Sequence, residues 1–213
     1  MLVVDSLSKQ FRDSLVFSDL SLSVSSGERL AIIGPSGSGK TTLLKCIAGL
    51  LQPEQGSIRT EKSVFNEDLF SLPAWQRQVG MVFQDLALWP HLTVAEHVSS
   101  VLRWTKTPVQ ARAAKLDDIL SMLEIQELRS RYPEQLSGGQ QQRLAFARLF
   151  AGAPKIILLD EAFKQMDERL RTLIWDNLQS LQDKNDVIIL FTSHNKYEVE
   201  QYATNVFNMP VVE

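Results

Sequence analysis

Cysteine is nearly absent: Cys46 is the only one in 213 residues, which excludes an internal disulfide. Long apolar runs are absent too. No stretch approaches the ~20 residues that a membrane span requires. The N-terminus lacks a basic segment leading into an apolar one, so no signal peptide is expected. An excess of charge of either sign is absent: 22 Lys and Arg stand against 25 Asp and Glu, and a formal net charge of −3 gives no global electrostatic case for binding nucleic acid. Internal repeats, low-complexity segments and long linkers are also missing. These absences point to a soluble, cytosolic chain. Hydrophobic residues make up 44% of it, enough for an ordinary core, and the length suits one large α/β domain or such a domain with a helical insert. Cys46 lies among Leu43, Leu44 and Ile47 and reads as a packing residue, not a catalytic one.

What the chain does hold is the stretch Gly34-Pro35-Ser36-Gly37-Ser38-Gly39-Lys40-Thr41-Thr42. It fits the phosphate-loop pattern of a glycine, four residues, then Gly-Lys-Ser/Thr. The apolar run Leu30-Ala31-Ile32-Ile33 precedes it, and Leu43, Leu44, Ile47 and Leu50 follow at helical spacing. A buried strand, a glycine-rich turn and a helix are expected in that order. Glycines let the backbone bend close to an anion, and the helix start adds free N–H groups and the positive end of its dipole. Lys40 would reach the β- and γ-phosphates, and the Thr41 hydroxyl would ligate Mg²⁺.

Around that loop, residues 2–33 read as antiparallel strands. Leu20, Leu22 and Val24 alternate with serines, and Ser25-Ser26-Gly27 turns into the strand that feeds the loop. Phe11, among polar neighbours, reads on its own as a core residue. Pro53 to Gly56 mark a turn, with a short strand beginning near Ser57, while residues 61–76 carry no clear pattern. Gln78 to Phe83 read as a strand ending at Gln84. The apolar loop Leu86 to Leu92 either packs on its own domain or docks on a partner.

Thr93 and Glu96 have capping-box spacing, and Thr107, Pro108 and Gln110 announce a second helix with apolar face Ala113, Leu116, Leu120 and Leu123. Residues 93 to about 130 form a helical insert, broken by Tyr132-Pro133. Leu136-Ser137-Gly138-Gly139-Gln140 is a second glycine-bearing loop opening a helix, and Ser137 with Gln140 repeats the box. Ile156 to Leu159 form a buried strand ending in Asp160-Glu161, where parallel α/β folds place ligands. Asp167 caps a further helix. A last buried strand, Val187 to Phe191, delivers Thr192-Ser193-His194, and Asn195 with Glu198 boxes a short terminal helix.

The phosphate loop, Gln84, the pentapeptide Leu136 to Gln140, Asp160-Glu161 and His194 match a known set in type, order and spacing. With them the sequence resembles the nucleotide-binding subunit of ATP-binding cassette (ABC) transporters over nearly its whole length. The resemblance implies a single ABC ATPase domain over 1–213: an α/β phosphate-loop NTPase core with a mostly parallel sheet, an N-terminal antiparallel β subdomain and a helical subdomain at about 86–150. It implies ATP and Mg²⁺ as cofactors. Asp160 would hold the Mg²⁺ bound by Thr41, through water or directly, and Glu161 would be the general base. His194 would fix the attacking water and contact the γ-phosphate, and Gln84 would touch the metal and report to the partner. Phe11 would stack on adenine rather than sit in the core. Ser137, Gly138 and Gly139, within the pentapeptide Leu136 to Gln140, would serve the ATP of a second subunit, with Asp167 carrying communication across that dimer.

The partners so implied are membrane-spanning permease subunits and a second ATP-binding subunit, identical or not, at the cytoplasmic face of the inner (plasma) membrane, with no nucleic acid. Phe83-Gln84-Asp85 together with Leu88 and Pro90 to Val94 look most like bacterial importer ATPases, so import is expected over export. A soluble cassette ATPase of DNA repair or translation is the alternative, but such proteins usually carry a long coiled-coil insertion or a second cassette. A kinase or GTPase would have no use for Leu136 to Gln140. Three departures from the family pattern stand out: Ala162 in place of proline, Lys164-Gln165-Met166 before Asp167, and a closing segment Asn208 to Glu213 without the usual glycine turn and strand. No C-terminal regulatory domain of the kind found in sugar importers is expected.

Overall fold

The computed structural model describes residues 1–12, 14–60, 72–164 and 166–210, with the backbone alone of 67–68. The described residues fall into two compact units, one drawn from Met1–Met81, Lys155–Glu161 and Ser180–Glu213, the other from Val82–Pro154 and Ala162–Gln179.

The first unit holds two sheets. Strands β1 (Leu2–Phe11) and β2 (Ser14–Val24) pair antiparallel, and β4 (Gln55–Thr60) and β5 (Glu67–Asp68) extend the sheet in the order β2-β1-β4-β5. The second sheet runs β6 (Val79–Val82), β7 (Ile156–Asp160), β8 (Ile188–Thr192), β3 (Arg29–Ile33), β9 (Asn205–Asn208). The expectation that residues 2–33 are all antiparallel therefore fails at β3, which pairs parallel with both β8 and β9. Its run Leu30-Ala31-Ile32 is buried without alternation, the pattern of a strand covered on both faces. Strand β9, whose short polar sequence carries little periodicity, pairs parallel with β3 and ends at Asn208, where the closing segment Asn208 to Glu213 begins; residues 211–213 of that segment lie outside the described residues.

Helix α1 (Lys40–Ala48) packs on β7 and β8. Its Leu43, Leu44, Cys46 and Ile47 join Leu2, Leu7, Phe17, Ile58 and Leu190 in one core. Burial pushes the Cys46 thiol up to about 11, so it stays a protonated packing group. The α1 C-terminus is held by Arg77, whose Nη1 donates to the carbonyls of Cys46 and Ile47.

The second unit is helical: α2 (Val94–Trp104), α3 (Val109–Met122), α4 (Gly138–Gly152) and the first part of α5 (Glu168–Asn185). The Thr93–Glu96 and Ser137–Gln140 boxes form as expected, and Asp167 Oδ1 accepts the Leu170 N–H at 2.7 Å. The box expected at Thr107 does not form. Pro108 is the N-cap residue of α3, and the Thr107 hydroxyl pairs with Thr105 Oγ1 instead. At the start of α6 (Lys196–Tyr202), Asn195 Oδ1 accepts from the Tyr197 N–H, while the expected partner Glu198 accepts from Ser193 Oγ at 2.6 Å. Most of the unpatterned stretch 61–76 lies outside the described residues. Among those described, no helix is long and apolar enough to cross a membrane.

Candidate functional site

The phosphate-loop sequence joins β3 to α1 within the first unit. Lys40 is buried, and its Nζ donates to the carbonyls of Gly34 and Pro35, both at 2.9 Å, so the ammonium closes the loop on itself. Gly39 has φ 92, and a Cβ there would lie 2.6 Å from Val16 Cγ1 of β2. No other residue suits both the backbone and the space. Val16 stands two positions beyond Ser14, the cross-strand partner of Phe11, so the β1–β2 pair that carries Phe11 runs against the loop. Phe11 is 47% exposed, contrary to its reading as core, and Lys9 Nζ lies 5.0 Å from its ring centroid.

Two observations fit an anion here. The α1 N-terminus has neither a side-chain cap nor an acidic residue in its first turn, leaving its N–H groups to an outside acceptor. The buried Ser38 hydroxyl has no hydrogen-bond partner among the described residues.

The strand ends supply oxygen ligands beside the loop. Thr41 Oγ1 donates to Asp160 Oδ1 at 3.0 Å, and Thr192 Oγ1 donates to the same oxygen at 3.1 Å. A threonine hydroxyl that gives its proton to a carboxylate keeps lone pairs for a hard cation. Magnesium commonly takes one or two protein oxygens and fills its other positions with water and phosphate. The pair Thr41 and Asp160 fits that ion. No group of three or more His, Cys, Asp or Glu side chains suited to a metal exists among the described residues.

One residue on, Glu161 takes φ 46, a left-handed conformation uncommon for a non-glycine residue. Its N–H donates to Thr192 Oγ1 at 2.8 Å, and its Oε1 lies 3.0 Å from His194 Nε2. Sequence reasoning passed over Thr192, the one hydroxyl at the end of an otherwise apolar strand.

The remaining candidates sit in the second unit. Gln84 is exposed in the turn after β6. Ser137 caps α4, and Gln141 Nε2 holds the preceding loop through the Pro133 carbonyl at 2.9 Å. Among the described residues a Cβ on Gly138 would meet nothing within 4 Å, and its φ is not positive, so none of them demands a glycine there. Glu124 binds Arg143 and Arg169, each at 2.8 Å, and these two, Arg143 first, hold its carboxyl below the usual carboxylate range. Of the departures before Asp167, Ala162 and Met166 are buried, so both serve as packing residues. Lys164 is exposed.

The loop Leu86 to Leu92 is pinned from within its own unit. Arg148 donates to the Ala87 carbonyl at 2.7 Å and lies 4.4 Å from the Trp89 ring, which stacks on His97 at 5.6 Å. His97 Nε2 accepts the Trp89 N–H, and Nδ1 faces the Thr93 carbonyl.

Residues 17–164 match the model of the ABC transporter family. The chain is 41% identical over 198 residues to the spermidine/putrescine import ATP-binding protein PotA of Salmonella typhimurium, covering 93% of this chain and 51% of that protein. It is 36% identical over 208 residues to the sulfate/thiosulfate import ATP-binding protein CysA of Synechocystis sp., covering 98% of this chain and 58% of that one. The chain thus spans about half the length of the curated relatives it matches. Among solved structures, the dimeric post-hydrolysis state of the ATP-binding cassette MJ0796 bound to ADP and Pi superposes with a TM-score of 0.87 at 28% identity, covering 98% of this chain and 94% of that one. On the family match, the identities and the fold, this chain belongs to the ABC transporter family.

Proposed function

We propose that the chain, acting as one ATPase domain, binds and hydrolyses ATP and thereby energises solute import through a separate membrane-spanning partner. The observation that carries this reading is the hydrogen-bonded line from Thr41 through Asp160 and Thr192 to Glu161 and His194, which starts at the helix of the phosphate loop.

In this reading the loop N–H groups from Gly34 to Thr42 and the Lys40 ammonium hold the phosphates, while the exposed Phe11 ring offers a π-face to adenine. Thr41 and Asp160 hold magnesium, which supplies charge neutralisation on the phosphate oxygens. Glu161 accepts the proton of the attacking water, and His194 orients the Glu161 carboxylate and that water. Gln84 reports to the partner. Ser137, Gly138 and Gly139 complete the site of a second ATP-binding subunit, which accounts for a glycine at 138 that the packing of the described residues does not require. Asp167 carries communication across that dimer.

The loop Leu86 to Leu92 receives the membrane partner at the cytoplasmic face of the membrane. The substrates in the relatives' names are polyamine cations in one and sulfur oxyanions in the other, so cassettes similar to this one serve partners for solutes of opposite charge. The test is phosphate release by the purified full-length protein with and without Mg²⁺, beside Lys40→Ala. Hydrolysis that needs magnesium and is lost in the variant supports the reading, and equal turnover in the variant overturns it.

A further inference from the structure

We infer that Thr192 is a positioning residue of the hydrolytic site, whose hydroxyl fixes the Asp160 carboxylate and the Glu161 backbone relative to each other. This rests on the reading of the chain as an ATPase.

Thr192 ends β8 directly opposite Asp160 in the parallel ladder, and it is only 2% exposed. A hydroxyl has one proton to give and lone pairs to accept with. Here the two uses are assigned without ambiguity. A backbone N–H can only donate, so the Glu161 N–H at 2.8 Å must be received by Thr192 Oγ1. The hydroxyl proton is then given to Asp160 Oδ1 at 3.1 Å, the oxygen that also accepts from Thr41.

One buried hydroxyl therefore links the metal-side carboxylate to the residue that carries the base. Glu161 needs such a restraint, because its φ of 46 is a conformation the surroundings must hold in place. The branch at Cβ restricts χ1 and keeps the hydroxyl aimed. The segment after Thr192 is anchored separately. Ser193 Oγ donates to Glu198 Oε2 at 2.6 Å and accepts the Asn195 N–H at 2.9 Å. His194, which faces Glu161 Oε1, thus hangs between two fixed points. Losing the Thr192 hydroxyl leaves the phosphate loop and its lysine untouched. It removes one of the two hydroxyl donors to Asp160 Oδ1, leaving Thr41, and it takes away the acceptor that Thr192 offers to the Glu161 N–H.

The experiment compares Thr192→Val, which keeps the shape without the hydroxyl, with Thr192→Ser, which keeps the hydroxyl. Both are set against wild type in the full-length protein. A hydrogen bond to a charged group is worth enough to predict a loss of about ten- to a hundredfold in kcat for Thr192→Val. KM for ATP should change little, the Mg²⁺ concentration at half-maximal rate should rise, and Thr192→Ser should regain most of the rate. In a Glu161→Gln background, already without the base, Thr192→Val should cost little more. If Thr192→Val does not melt cooperatively, Thr192→Ala takes its place under the same criteria. Wild-type kcat in the variant lacking the hydroxyl, or an equal loss in Thr192→Ser, overturns the role. A wild-type protein that hydrolyses no ATP overturns the ATPase reading itself, and this role with it.

Discussion

Thr41 and Asp160 are 119 positions apart in the chain, yet the hydroxyl of one donates to the carboxylate of the other at 3.0 Å. The contact joins the first turn of α1 to the end of β7, two places that the sequence marks separately, one by glycines and the other by an apolar run ending in acids. Parallel pairing of β7, β8 and β3 brings them together, since strands that run the same way end at the same edge. The phosphate loop and the acidic pair are thus one site because of sheet topology.

Asp160→Asn tests the metal side of that contact. The amide oxygen can still accept from Thr41 and Thr192, so the fold should hold. The negative charge is gone, however, and magnesium is a hard cation that favours it. Nucleotide binding without metal should be unchanged, while the Mg²⁺ concentration needed for half-maximal hydrolysis should rise by about tenfold or more. Titrating MgCl₂ in a phosphate-release assay, beside metal-free binding of a fluorescent nucleotide, checks both halves.

Trp89 is 40% exposed, which on exposure alone would suit a docking residue. Its partners within the same unit give it a structural task as well. Its ring stacks with His97 and lies 4.4 Å from the Arg148 guanidinium carbon. Trp89→Ala should therefore lower the stability of the protein by about 1–2 kcal/mol. His91→Ser, at an exposed position in the same loop, should leave the melting temperature unchanged. A Trp89→Ala protein that melts with wild type would show that these ring contacts contribute nothing.

His97 makes stability depend on pH. Burial, opposed by the hydrogen bond to Thr93, holds its pKa below the ordinary 6.5, and Arg148 and His91 push in the same direction as burial while Glu96 opposes them. Unfolded, the imidazole takes its proton near pH 6.5; folded, it does so only at lower pH. Below that value the unfolded chain binds more protons, so the contribution is fully present above pH 6.5 and is lost as pH falls toward the folded value. His97→Gln can place an amide oxygen where Nε2 accepts from Trp89, without titrating. Melts between about pH 7.5 and 5 should show a smaller loss in the variant than in wild type. Equal slopes would remove His97 as the cause.

The features legible in the sequence were local ones. Thr93 with Glu96 and Ser137 with Gln140 are read from a three-residue spacing, and both boxes form because their geometry depends on one helical turn. Thr107 has the same spacing to Gln110, but Pro108 takes the cap, so residue types alone over-predict. What stayed hidden needed distant pairing. Strand β9 is too short and polar to show a period, and only the β3 edge makes it a strand. Arg148 reads as one more helix residue until it is seen over the Trp89 ring. Thr192 has no sequence signal beyond being polar next to four buried residues, Ile188 to Phe191.

Glu161→Gln keeps the side-chain shape and removes the basicity, which typically costs on the order of 10²–10⁴ in rate. Lys40, Thr41, Asp160 and the loop N–H groups are untouched, so ATP should still bind. Unhydrolysed ATP held between two copies stabilises their interface in proportion to its occupancy. Purified Glu161→Gln protein should therefore be monomeric without nucleotide and dimeric with ATP by light scattering. A second change should block the dimer without harming the fold. Ser137→Arg would add bulk there, but Ser137 is the N-cap of α4, and losing such a cap costs about 0.5–2 kcal/mol. Gly138→Glu is the cleaner variant. A Cβ there meets nothing within 4 Å, and a carboxylate in the first turn of α4 favours the helix. The same charge would face the phosphates of the opposing subunit. The double variant should still bind ATP and stay monomeric at saturation. If it dimerises as well as Glu161→Gln alone, the Ser137–Gly139 loop does not meet a second subunit's nucleotide.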